Sequence, residues 1–129
     1  MKEFIKKLFN KSSEDPITFE FNGSIKFTLK IESIDVGYLN INNGKWVFKY
    51  SEEFKNQNSF RRLAGFSDLN KTYESEVLWP FFKIRIPGLK QPMIQEILEK
   101  ENLNKENEEA LLKRFGRISM SNPYILEAS

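Results

Sequence analysis

The chain has no cysteine and no histidine in its 129 residues. The first absence excludes a disulfide scaffold and suits a reducing compartment, so a cytoplasmic location is expected. Together the two absences remove the commonest general base, the commonest thiol nucleophile and most transition-metal ligands. Charge of one sign is scarce as well. Twenty Lys and Arg against 18 Asp and Glu leave a net +2, whereas domains that live on phosphate contacts usually carry a clustered basic excess. No apolar run approaches the roughly 20 residues of a membrane span, and the opening MKEFIKKLFNK lacks the continuous apolar core of a secretory leader. The glycines are scattered, with no G-x-G-x-x-G or G-x-x-x-x-G-K-[ST] phosphate cradle and no Asp-rich loop of calcium-site spacing. The carboxylates at Glu52-Glu53, at Glu99 and Glu101, and at Glu106, Glu108 and Glu109 point apart on a helix and read as a solvated face. No serine has a base beside it. No catalytic residue, metal or cofactor is therefore expected, and the chain reads as a binding or assembly part before it reads as an enzyme.

What the chain does have is aromatic side chains. The stretch LAGFSDLNKTYESEVLWPFFKIRIP, residues 63–87, carries Phe66, Tyr73, Trp79, Phe81 and Phe82 without a regular period. Rings this dense either build a core or hold a partner. Phe66, Tyr73 and Trp79, with Arg61 and Arg62 at the rim, are the candidate partner-binding residues, because Trp, Tyr and Arg dominate interface hot spots. The competing reading is that these rings cap the domain's own core. Arg61-Arg62 beside Phe60 could also take a phosphate or stack on a base, or simply keep the surface soluble. Trp46, Phe48 and Tyr50, at period two, are either core or a stacking platform of the kind single-strand binders use. Two other basic groups, Lys83 with Arg85 and Lys113-Arg114 with Arg117, carry no further signal.

Organisation follows from periodicity. Residues 1–16 hold a short basic amphipathic helix or tail, with Phe4, Ile5, Leu8 and Phe9 at helical spacing, and the polar linker KSSEDP. It could dock on its own domain, on a partner or on a membrane surface. Residues 17–129 form a single domain. Ile17, Phe19 and Phe21, the Asn22-Gly23 turn, and Ile25, Phe27, Leu29 and Ile31 read as one hairpin. Ile34, Val36 and Tyr38, the Asn42-Asn43-Gly44 turn, and Trp46, Phe48 and Tyr50 read as a second. The chain then turns irregular from Ser51 to Ser59. Pro80 and Pro92 suit the first turns of two helices, the second with an apolar stripe of Met93, Ile94, Ile97 and Leu98. A third helix is capped by Asn104, carries Leu111, Leu112 and Phe115, and ends at Gly116, with a last strand near Tyr124 to Leu126. Strands first and helices after give an α+β fold: an antiparallel sheet of two or more hairpins followed by a small helical layer.

Several of these segments in order resemble the N-terminal subdomain of HipA-type toxin kinases. Val36-Gly37-Tyr38-Leu39 matches its V-G-x-L strand, and Phe48-Lys49-Tyr50 after the Asn43-Gly44 turn matches its F-x-Y strand. Phe81-Phe82 through Pro87 matches the F-F-x-x-x-x-P helix end, and Leu111-Leu112 with Gly116-Arg117 matches the closing L-L-x-x-x-G-R. The likeness spans about Ile34 to Leu126. In the family this part is followed by a kinase body with a phosphate loop and catalytic and metal-binding Asp residues, and none of these is present before Ser129. The resemblance thus implies a free-standing copy of the non-catalytic subdomain. It would bind and modulate a separately encoded HipA-like Ser/Thr kinase, antitoxin-like, in a toxin–antitoxin module, and could meet a HipB-like DNA-binding antitoxin; no membrane partner is expected. The alternative is a small nucleic-acid-binding module using Trp46, Tyr50, Arg61 and Arg62.

Overall fold

The computed structural model describes residues 25–129. The expected tail at 1–16, and the strand and Asn22-Gly23 turn that open the first hairpin, lie outside the described residues. Within them the alternation of Phe27, Leu29 and Ile31 with Thr28 and Lys30 forms β1 (Phe27–Ile31). A tight turn at Glu32-Ser33, with Glu32 at φ 54, joins it to β2 (Ile34–Asn42). The next turn is the one the sequence specifies. Asn43 and Gly44 both take positive φ, 54 and 79, which is the type I′ geometry that matches strand twist. It leads into β3 (Lys45–Tyr50), paired antiparallel with β2.

Two further strands complete the described sheet. β4 (Tyr73–Ser75) pairs with β3 and β5 (Ile125–Ala128) pairs with β1, both antiparallel, in the order β4-β3-β2-β1-β5. The phase expected for β2 holds only at its start. Leu29 faces Gly37 while Lys30 faces Asp35, so Val36 is an extra residue on its strand and the ladder bulges there. Beyond it Gly37 and Leu39 face inward. Tyr38, expected on the apolar face, is half-buried and sits opposite Thr28 and Lys49 on the other side of the sheet.

The helices are short, and most of them cover one face. Ser51 caps α1 (Glu52–Lys55) by accepting from the Phe54 N–H at 3.0 Å, so the span read as irregular opens with a helical turn that buries Phe54. α2 (Pro80–Lys83) and α3 (Pro92–Lys100) both begin on proline, where the missing N–H costs nothing. α4 (Glu108–Phe115) is capped by Asn107, whose side-chain Oδ1 accepts from the Ala110 N–H at 3.1 Å. Asn104, the expected cap, instead turns the chain one step earlier by accepting from Glu106 N–H. Gly116 does end the helix, but at φ −91, so a left-handed cap is not its reason. A Cβ there would lie 2.5 Å from the Leu112 carbonyl oxygen, so the position needs space rather than freedom.

The main core joins the inward sheet residues Phe27, Leu29, Leu39, Trp46, Phe48 and Tyr50 to Phe54, Phe82 and Leu112 from α1, α2 and α4. Ile94 and Leu98 of α3 meet Leu111 of α4 in a separate small cluster, so α3 packs on α4. Met93 is 72% exposed and lies off the stripe it was expected to share.

Candidate partner surface

The stretch without a period turns out to finish the core. β4 places Tyr73 opposite Phe48, on the inward side of the sheet edge. Phe66 fills the space between them and α2, with ring centroids 4.9 Å from both Phe48 and Tyr73 and 5.2 Å from Trp79. It is 1% exposed, so it supports the surface from beneath and offers a partner no area of its own. The edge-to-face geometry against Tyr73 and Trp79 is the arrangement ring quadrupoles favour. Tyr73 and Trp79 are half-buried and form the outer rim of that ring cluster, Trp79 at the N-terminus of α2. The irregular spacing has a simple cause: a loop, an edge strand and a helix start each contribute one ring.

The loop itself is pinned from the sheet. Tyr50 Oη donates to the Phe66 carbonyl at 2.5 Å and accepts from the Leu63 N–H at 2.9 Å. Burial pushes the Tyr50 phenol up to about 12, the Leu63 N–H opposing that rise. Trp46 and Tyr50 are 3% and 2% exposed, and Phe48 lies between them in the same core. None of the three presents a face to a nucleobase. Arg61 and Arg62, by contrast, are exposed, and with Phe54, Gln57, Asn58, Phe60 and Leu69 they line an open groove beside α1. The structure thus sets Tyr73 and Trp79 each against Phe66 and places Arg61 and Arg62 on that groove.

Arg85, which stands beside Lys83 in a basic group without further signal in the sequence, is 4% exposed. Its guanidinium donates to the carbonyls of Gly116 at 2.8 Å, Arg117 at 3.1 Å and Tyr124 at 2.8 Å, and to Asn122 Oδ1 at 3.0 Å. The end of α2 is thereby fastened to the end of α4 and to the entry of β5. Carbonyls at a helix C-terminus carry partial negative charge, which suits a cation held without a carboxylate among the described residues. Burial pushes the guanidinium below its usual value. The same staple joins the segments that carry exposed Ile84, Ile118 and Met120. Among the described residues no group of three or more His, Cys, Asp or Glu could hold a metal ion, and no helix is long and apolar enough to cross a membrane.

The segments that resembled a family each have a packing role. Gly37 lies under Phe48, whose ring a Cβ there would approach to 2.6 Å; Phe82 is fully buried; Leu112 and Gly116 close against each other. A family model described as HipA N-terminal domain matches residues 28–120, from within β1 to the segment after α4. No curated protein matches the chain. The match supports a HipA-related toxin–antitoxin context. With most of its length accounted for in this way, the chain belongs to the HipA N-terminal domain family.

Proposed function

We propose that this chain is a non-catalytic interaction protein that binds and modulates a separately encoded HipA-like Ser/Thr kinase in a cytoplasmic toxin–antitoxin module. The observation that carries the reading is the family match over residues 28–120. The surface is consistent with it. Tyr73 and Trp79 offer half-buried rings at the margin of a rigid aromatic core, Arg61 and Arg62 lie exposed nearby in sequence, and Phe66 holds the rings in place from below. Half-buried rings of this kind lose little conformational entropy on docking, which is why they serve as interface anchors.

Co-expression with a HipA-like kinase of the same genome, followed by affinity capture and a kinase autophosphorylation assay, tests the reading. Capture of the kinase with a changed autophosphorylation rate is expected. Trp79→Ala and Tyr73→Ala should weaken capture while the chain still melts cooperatively. A purified kinase that neither binds the chain nor changes its activity would overturn the reading.

A further inference from the structure

The groove at Arg61 and Arg62 is the feature of the surface with the most definite chemistry. Its volume is about 480 Å³, room for a few side chains of a partner but not for a folded element. The wall is preformed. Gln57 Nε2 donates to the carbonyls of Phe54 at 3.2 Å and Phe60 at 3.1 Å, and Gln57 Oε1 accepts from the Phe60 N–H at 2.8 Å. One amide thus locks the turn that presents Phe60 and the two arginines. Phe54 forms the floor, stacked on Tyr50 at 5.1 Å, and Leu69 the far side.

Among the described residues nothing compensates the charge in the groove: Arg61 and Arg62 have no ion pair or hydrogen bond there, and no described carboxylate lines it. The acidic residues adjoining it in sequence are already engaged. Glu52 pairs with Lys55 at 3.0 Å, Glu53 Oε1 accepts from the Asp35 N–H at 3.1 Å, and Asp68 Oδ1 accepts from the Asn70 N–H at 2.9 Å. Arg114, in the last turn of α4, shows what such a guanidinium does when a carboxylate is in reach: it takes both oxygens of Glu101 through Nε and Nη2, at 2.8 and 3.0 Å.

We infer that this groove receives an acidic segment of the partner protein, one apolar side chain resting against Phe60 and Leu69 and flanking carboxylates engaging Arg61 and Arg62. The inference rests on the reading of the chain as an interaction protein and names the chemistry its partner presents. A nucleic-acid strand fits less well, because the groove offers one half-buried ring, Phe60, where a strand would stack successive bases on several.

Fluorescence polarisation on the full chain at physiological salt tests this with three labelled probes. They are a peptide of Asp and Glu flanking a single Phe, the same peptide with Lys in place of the acids, and single-stranded oligo-dT. The acidic peptide alone is expected to bind. Arg61→Glu/Arg62→Glu should weaken it by about tenfold or more, with an unchanged melting temperature because both side chains are exposed. Equal binding of the two peptides, or no binding of the acidic one, overturns the inference, and so does a preference for oligo-dT. Capture of the co-expressed kinase by the same double variant separates the two readings. Arg-dependent peptide binding without any kinase capture keeps the groove and removes the proposed kinase partner. Undiminished kinase capture without peptide binding does the reverse.

Discussion

Replacing Arg85 by Met removes a charge that the fold had to desolvate, yet the structure implies a large loss of stability. Taking an ion out of water costs several kcal/mol, and buried ion pairs are sometimes improved by apolar replacements of similar volume. That outcome requires the partners to leave with the charge, and here they stay. The acceptors are mostly main-chain carbonyls of Gly116, Arg117 and Tyr124, fixed by the end of α4 and the start of β5. The Arg117 carbonyl keeps a second donor, the Leu126 N–H at 2.9 Å. Asn122 Oδ1 likewise keeps the Tyr124 N–H at 3.1 Å, so the Gly116 and Tyr124 carbonyls are the acceptors that would be left without the donor Arg85 gives them. Each stranded acceptor costs about 1–3 kcal/mol, partly offset by the packing of the Met side chain. A net loss of about 3 kcal/mol follows, which in a domain of this size lowers the melting temperature by roughly 10–20 °C. Circular dichroism melts with urea titrations read the effect. Arg85→Lys keeps the charge, but one ammonium cannot span four acceptors, so it should recover only part of the loss. An Arg85→Met protein that melts within a few degrees of the parent would show that desolvation outweighs the hydrogen bonds, and the argument would fail.

Tyr50→Phe should cost about 1–3 kcal/mol, because the buried Leu63 N–H and Phe66 carbonyl both lose their partner. The same phenol sets an alkaline limit. Its folded value, about 12, lies above the unfolded 10.0, so the neutral form is favoured by folding; the stability it contributes is complete below pH 10 and lost as pH rises towards 12. Absorbance titration should show a late-ionising tyrosine that Tyr50→Phe lacks, and an alkaline limb left unchanged by that substitution would contradict this. Gly37→Ala should destabilise by about 1–3 kcal/mol, since the new Cβ would meet the Lys49 carbonyl oxygen and the Phe48 ring at 2.6 Å; an unchanged melt would show that the strand yields easily. Phe66→Ala should lose about 3–5 kcal/mol as a core cavity, so a variant with normal stability and lost kinase capture would put Phe66 at the interface after all.

How far the fold was legible depended on whether its cause was local. The β2–β3 hairpin was, because Asn43-Gly44 encodes the turn and Trp46, Phe48 and Tyr50 encode the face. The prolines placed the starts of α2 and α3 for the same reason. β4 was not visible: three residues are too few to show a period, and Tyr73–Ser75 is a strand because β3 offers it an edge. Nor was the bulge at Val36, which depends on how Lys30 and Asp35 meet across the ladder. The Asn104 assignment failed for a finer reason. Two asparagines three residues apart both suit a cap, and which one accepts from the first helical turn is set by where α4 must lie to put Leu111 and Leu112 into their two cores.

Among the candidate site residues, exposure separated those that one sequence could not. Arg61, Arg62 and Phe66 lie close together in the chain, yet the arginines face solvent while Phe66 is sealed beneath Trp79, because Tyr50 draws the backbone at 63 and 66 inward. Gln57, which shapes the groove, gave no signal, since an amide that bonds main-chain groups leaves no pattern of residue types. Arg85 is the clearest case. Its acceptors lie 31 to 39 residues further on, and three of the four are carbonyls that every residue possesses. What the sequence did contain were two family segments, one ending at Pro87 and one ending at Gly116-Arg117, with no stated reason to occur together. The guanidinium of Arg85 supplies that reason: it lies inside the first segment and binds the carbonyls that end the second. Substitutions within either segment should therefore show non-additive effects on stability, while changes at Arg61 and Arg62 add independently to both.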